Sequence, residues 1–390
     1  MKKWIRNITI IALIFVFITA FSSSYSSLNI DNLTYVLAIG IDLASNNELE
    51  VSFQFSNPLP AESSASEKST PIINTVTASS LSKAINLVNG YQPRQLNLSH
   101  CKIIVFSEEI AQRGISDEIY TLINDTQVRP SSNIVVSKCN AKDYLEQTNP
   151  EIENLISRYY EIFADSSRYT GHMPNATIGD FLNSLICNTC EPHAILGGIN
   201  SNNGTNDSSV QGENNVENIG VAVFNNDQLV GELNSYDTIC FLNLRNEVDR
   251  FLISIPDPFD SNETLDIYVT PKSNLKIKID TSSSPYIDIK CDFTAQIYSM
   301  SNNSKYLSDN VLDTISNSCN SYLENMFLEY LYKTSKEFKS DINGFGNFAA
   351  KNFLTISEFE NYDWLNKYKD SFFNVEINTS VKSGMLILET

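Results

Sequence analysis

Near residue 300 the hydrophobic period of this chain switches from two to nearly four. Ile287, Ile289, Cys291, Phe293, Ala295 and Ile297 alternate with polar residues, the repeat of a strand with one buried face. Val311, Ile315, Cys319, Tyr322, Met326 and Tyr330 then recur at steps of three and four, the repeat of an amphipathic helix. Phe373, Val375, Ile377, Thr379 and Val381 alternate once more, and Ser383-Gly384 can turn the chain into residues 385–388. These faces must bury one another. The spacing therefore predicts an α+β domain over residues 273–390, a sheet with one long helix, 309–338, packed across it. Core packing on its own sheet is the plain reading of the helix's apolar stripe; docking of a partner by part of it is the sharper one.

Upstream, residues 33–41 form a nearly continuous apolar run, residues 42–47 carry turn chemistry, and Leu49, Val51, Phe53 and Phe55 alternate with polar residues. This predicts an antiparallel hairpin. Helical spacing follows behind Ser79 and Ser80 and stops at Gly90; a strand spans 101–106; Ser116 or Asp117 can cap a helix; 134–136 is a strand; Asn140 can cap the next helix. Residues 25–199 thus read as an N-terminal α/β domain. Residues 200–218 are rich in Asn, Gly and Ser and read as a linker. Residues 219–224 and 228–233 flank Asn225, Asn226 and Asp227, a hairpin signature. With a helix near 235–245 and strands near Phe251 and Ile267 they form a small middle domain, 219–272. At 390 residues the chain exceeds one ordinary core. The expected fold is mixed α+β and α/β, multidomain, with three small mixed-sheet domains behind an N-terminal export signal or anchor.

That N-terminal segment is residues 1–24. Lys2, Lys3 and Arg6 precede an uncharged, mostly apolar run, 8–21, and then Ser22, Ser23 and Ser24, the layout of an export signal. At about 1.5 Å per residue the run makes only roughly 20 Å of helix, short of a ~30 Å hydrocarbon core. A cleaved signal and a short uncleaved anchor both fit, and everything after Ser24 is expected outside the cytoplasm. The net charge of −19 repels phosphate backbones and excludes nucleic acid as a partner class. Seven irregularly spaced cysteines, Cys101, Cys139, Cys187, Cys190, Cys240, Cys291 and Cys319, make no disulfide framework.

Catalytic signatures are missing: no HExxH, GxSxG or Walker loop occurs. Cys187 and Cys190 with His193 supply three possible zinc ligands but no fourth; ordinary thiols at a domain edge are the simpler reading. Residues 344–349, GFGNFA, mimic a dinucleotide fingerprint but follow a helix rather than a strand. His100 reads as a strand-edge residue, and Glu108 and Glu109 as the acidic first turn of a helix. No catalytic, cofactor-binding or metal residue is expected, and no enzyme.

Four blocks, in order, resemble the spore-germination receptor C-subunit, or Ger(x)C, family. They are Val36 to Asp42 with the strand ending at Gln54-Phe55-Ser56-Asn57-Pro58; His100 to Gly114; Gly220 to Gly231; and Ser340 to Gly346 with Trp364 downstream. The resemblance implies three structurally distinct domains and a non-enzymatic C subunit of a nutrient germinant receptor, needed for spore germination. It implies membrane-embedded A and B subunits as partners, and a place on the outer face of the inner spore membrane. Members are normally lipidated on a cysteine just after the signal, followed by an aromatic residue. Here Ser24 and Tyr25 stand at those positions, so no lipidation is expected at Ser24. The competing reading is a stand-alone exported solute-binding protein or hydrolase, which would show two comparable lobes or a catalytic constellation.

Overall fold

The computed structural model describes residues 2–22, 32–56, 72–148, 153, 155–199, 216–260, 262–299 and 309–382. Nine strands make the first sheet: β1 (Leu33–Leu43), β2 (Leu49–Phe55), β3 (Ile72–Ala78), β4 (Gln95–Asn97), β5 (Ile103–Ser107), β6 (Asn133–Ser137), β7 (His193–Ile199), β8 (Val216–Asn225) and β9 (Gln228–Leu233). The order is β3-β2-β1-β5-β6-β7-β8-β9, with β4 on β1. The centre, β1, β5, β6 and β7, is parallel, and an antiparallel hairpin closes each side. Every residue of β5 and β6 is buried, which is why these strands are continuous rather than alternating in sequence.

Five strands make the second sheet: β10 (Phe251–Pro256), β11 (Thr264–Pro271), β12 (Lys276–Asp280), β13 (Tyr286–Ser299) and β14 (Phe372–Lys382). β13 pairs with β11 and β12 along one edge and runs parallel to β14 along the other. The mixed, multidomain α+β architecture expected from the sequence is the one adopted. Among the described residues the strands form two sheets. The middle unit expected at 219–272 is shared between them: its hairpin is β8–β9 of the first, and β10 and β11 belong to the second. Of the expected linker, 200–215 lie outside the described residues and Val216 already begins β8. Residues 383–390, with the expected final turn, also lie outside them.

The hairpin β8–β9 is a wall between two cores. Ala222, Phe224 and Leu229 pack in the N-terminal core, whereas Val221, Val223 and Leu233 pack in the C-terminal one. Successive side chains of a strand point to opposite faces, so a strand with a core on both sides must be apolar throughout. The run Gly220 to Phe224 has that composition.

The long helix, Asp309–Tyr332, covers the second sheet. Its fully buried residues are Ile315, Cys319, Leu323, Phe327, Tyr330 and Leu331. Tyr322 and Met326, expected in the stripe, are only half-buried. The neighbouring polar row explains the rotation. Ser316 Oγ, Asn320 Oδ1 and Glu324 Oε1 accept the backbone amides of Val381 (3.4 Å), Thr379 (2.8 Å) and Ile377 (3.0 Å) on β14. Four helical residues rise about 6 Å and two strand residues about 6.8 Å, so the two rows run in register. The helix thereby satisfies an edge that is otherwise open to further pairing.

Two helix starts use acceptors from far away in sequence. Asp42 lies within β1, not in the turn, and its carboxylate accepts the amides of Ala141 (2.7 Å) and Lys142 (3.0 Å). Asn140, the expected cap, makes no capping bond. Neither Ser116 nor Asp117 caps Ser116–Asn124; the cap position is Ile115, and the Ser116 amide reaches Asp227 Oδ2 at 3.4 Å. First-turn amides donate to any carboxylate that the fold delivers, so the strand end and the hairpin tip displace the local caps.

Candidate functional site at the lobe junction

The wall ends in the turn Asn225-Asn226-Asp227, with Asn226 in the left-handed region (φ 53°), a conformation Asn tolerates. This turn touches both lobes. Asp227 O accepts the Ile115 amide (3.1 Å) and Gln228 Nε2 donates to Arg113 O (3.3 Å) on the N-terminal side. Asn225 Nδ2 donates to Lys339 O (3.0 Å), and Ser340 Oγ to Phe224 O (2.5 Å), on the C-terminal side. The second, third and fourth sequence blocks thus meet at one place.

The centre of the junction is Asp341, 1% exposed. Its carboxylate accepts the amides of Phe345 (3.1 Å) and Gly346 (2.9 Å) and the Trp364 indole Nε1–H (2.8 Å). Its carbonyl accepts the amides of Gly344 (3.3 Å) and Glu191 (2.9 Å). Burial raises the Asp341 carboxyl to about 6 against the pull of these donors. Gly344 has φ 72°, which lets the loop turn its amides inward. At Gly346 a Cβ would lie 2.4 Å from Thr189 O and 2.7 Å from the Trp364 ring, so only glycine permits this approach of the lobes. The fingerprint-like glycines therefore wrap a carboxylate of the chain itself, and their amides are occupied.

Glu191 stands beside Asp341. Its Oε2 accepts the Asn226 amide at 2.7 Å. Burial, offset by that bond, and the neighbouring Asp341 charge raise its carboxyl to about 7. Glu191, Asn225, Lys339, Asp363, Asn366 and Lys369 line a recess of about 300 Å³. It presents ammonium and amide donors together with carboxylate acceptors, a surface suited to hydrogen bonding and charge pairing.

Cys187 and Cys190 lie three residues apart on one loop, both half-buried. Cys187 Sγ lies 2.7 Å from Thr189 Oγ1, which donates to Asn347 Oδ1 (2.9 Å) across the junction. His193 is not with them: it is buried, its ring edge-on to Phe241 at 4.9 Å, and burial with the Arg245 charge holds it well below the usual imidazole range. Among the described residues no group of three His, Cys, Asp or Glu side chains could hold a metal ion. His100 packs edge-on to Tyr35 at 4.7 Å. Glu108 opens the helix Glu108–Arg113 and accepts Gln112 Nε2 at 2.9 Å. Glu191 and Thr189 were given no role in the sequence reading, Asp341 entered it only as a member of the fourth block, and Gly344 and Gly346 were noticed, but for a different reason. Ser24 and Tyr25 lie outside the described residues. The N-terminal helix Lys2–Ser22 exposes Trp4, Ile11, Leu13 and neighbouring apolar side chains, and no helix among the described residues is long and apolar enough to cross a membrane.

Residues 26–196 match the family model described as spore germination protein N-terminal domain. Residues 219–384 match that described as spore germination B3/GerAC like, C-terminal. The crystal structure of the GerBC protein shares the fold, with a TM-score of 0.52 at 16% identity, over 88% of this chain and 96% of that one. No curated protein matches the chain.

Proposed function

Because this chain belongs to the GerAC-like spore germination protein family, we propose that it is the non-enzymatic C subunit of a nutrient germinant receptor. In this reading it works with membrane-embedded A and B subunits at the outer face of the inner spore membrane. The observation that carries the reading is the match of both family domains, in order, on either side of residues 197–218. The non-enzymatic part of the reading rests on the family; at the junction itself, Asp341 and Ser340 are engaged in structural hydrogen bonds.

Ser24 has no thiol to carry diacylglycerol. Retention at the membrane then falls to the apolar helix Lys2–Ser22 or to the partner subunits. Deleting the gene is expected to abolish or slow germination with particular nutrients and to leave vegetative growth normal. Impaired vegetative growth with unchanged germination favours the stand-alone solute-binding reading instead. Co-purification with candidate A and B subunits tests the partnership. An intact N-terminal peptide in the membrane-extracted protein, read by mass spectrometry, tests the anchor; a mature terminus near Ser22 to Ser24 rejects it.

A further inference from the structure

We propose that Cys187 and Cys190 are a redox-active dithiol that closes to a disulfide at the lobe junction, a modification that stands independently of the receptor reading. Three features of the site carry this. The two thiols are three residues apart on one junction loop, close enough for the charge of one to act on the other, and each is only partly buried. Cys101, Cys240, Cys291 and Cys319 are buried in the cores, and Cys139 sits against the Ser137 hydroxyl (3.1 Å). The loop bearing the pair also holds the junction through Thr189 to Asn347 and through the Glu191 amide to Asp341 O.

The two sulfurs are unequal. Burial works to raise the Cys187 thiol, but the hydrogen bonding that the Thr189 hydroxyl and amide offer to its charged form outweighs it and holds the group below the usual thiol range. Burial and the charge of Cys187 push Cys190 up to about 12. Cys187 is therefore the attacking thiolate and Cys190 the resolving thiol. The Cys187 thiolate attacks one sulfur of a small-molecule disulfide, forming a mixed disulfide and releasing one thiolate. The Cys190 thiol gives its proton to solvent, and its sulfur attacks the Cys187 sulfur. That closes the protein disulfide and releases the second thiolate. Two protein thiols are oxidised and one disulfide is reduced to two thiols.

The step bears on the junction through one proton. The Thr189 hydroxyl hydrogen is directed at Asn347 Oδ1, and the Cys187 thiolate competes for it at 2.7 Å. Closing the disulfide ends that competition, because the bonded sulfur is a poor acceptor, and leaves Thr189 to Asn347.

The test uses the full chain in detergent, equilibrated with oxidised glutathione, quenched, alkylated and mapped by peptide mass spectrometry. The peptide holding residues 187–190 should lose about two mass units, the two hydrogens removed by disulfide closure, while the other five cysteines stay alkylatable. Before oxidation, Cys187 should alkylate about tenfold faster than Cys190, as expected for the thiol with more thiolate character. Cys190→Ser should stop at a glutathione adduct on Cys187. The proposal is overturned if both thiols remain alkylatable, if wild-type Cys187 keeps its adduct without closing, or if Cys187 pairs with another cysteine. Should Cys190→Ser fail to fold, the wild-type measurement decides alone.

Discussion

The two lobes are joined twice, by means that share almost no chemistry. The wall β8–β9 joins them by apolar burial on both faces, with Phe224 edge-on to Phe181 at 4.9 Å on one side and Val223 buried on the other. The Asp341 knot joins them by directed hydrogen bonds from four separate stretches of chain. Burial on the wall has no preferred angle and no titrating group, so it fixes the lobes together without responding to conditions. The knot contains two buried carboxylates with raised pKa values and adjoins two thiols, so its strength depends on protons and redox state.

The largest effect belongs to the wall. Phe224→Ala removes a fully buried ring and should lower unfolding free energy by about 3–5 kcal/mol, equally at pH 5 and pH 7.5 in urea titrations. A loss that changes by more than about 1 kcal/mol between those pH values would show that the wall and the knot are not separable. Gly346→Ala comes next. Its Cβ meets the Thr189 backbone rather than a flexible side chain, so the loop must shift. The expected loss is about 2–4 kcal/mol, and proteolysis should speed up around 187–191. Wild-type stability from this variant breaks the claim that the lobes approach through glycine.

The wall was legible in the sequence and the knot was not. A strand with a core on each face writes itself as a continuous apolar run, and the turn Asn225-Asn226-Asp227 announces its hairpin. What the run could not tell was that its faces belong to different cores, which is how residues 219–272 came to read as a unit of their own. The long helix was legible as a helix, but two adjacent rows satisfied the same spacing. The buried row was chosen by Ser316, Asn320 and Glu324 reaching β14, a contact with residues 53 to 65 positions away. Asp42 and Asp227 displaced local caps for the same reason. Asp341 gives no sequence signal, because a buried acceptor is recognised by its donors, and Trp364 is 23 residues downstream. The pair Cys187 and Cys190 was visible; without a fourth metal ligand it read as ordinary thiols at a domain edge, and only the fold shows that edge to be the lobe junction.

The proton sensitivity of the knot can be isolated at Glu191. Its folded carboxyl titrates near 7 against 4.5 when unperturbed, and that of Asp341 near 6 against 3.8. Between the lower and the upper value of each pair the native state holds a proton that the unfolded chain has released. Stability from these groups is therefore full below about pH 4, falls as pH rises, and is lost above about pH 7. Glu191→Gln keeps an acceptor for the Asn226 amide and removes the charge. It should leave stability unchanged at pH 4 and raise it by about 2 kcal/mol at pH 8, allowing for partial solvation at the recess. Urea midpoints for both proteins across this range read the difference. A variant curve parallel to wild type would place the pH sensitivity elsewhere.

The smallest effect separates the two roles of Thr189. Its single hydroxyl proton bonds Asn347 Oδ1 and is also within reach of the Cys187 sulfur. Asn347 is exposed, so Asn347→Ala removes one claimant with little change in packing. The hydroxyl is then free to donate to the thiolate, and a hydrogen bond to the charged form lowers a thiol's pKa. Cys187 alkylation at pH 7 should quicken about two- to threefold, the effect of a fraction of a pKa unit. Thr189→Val, lacking any donor, should slow it instead. If both variants move the rate the same way, loop loosening rather than the shared proton governs the thiol, and the knot would act on Cys187 only by holding its loop in place.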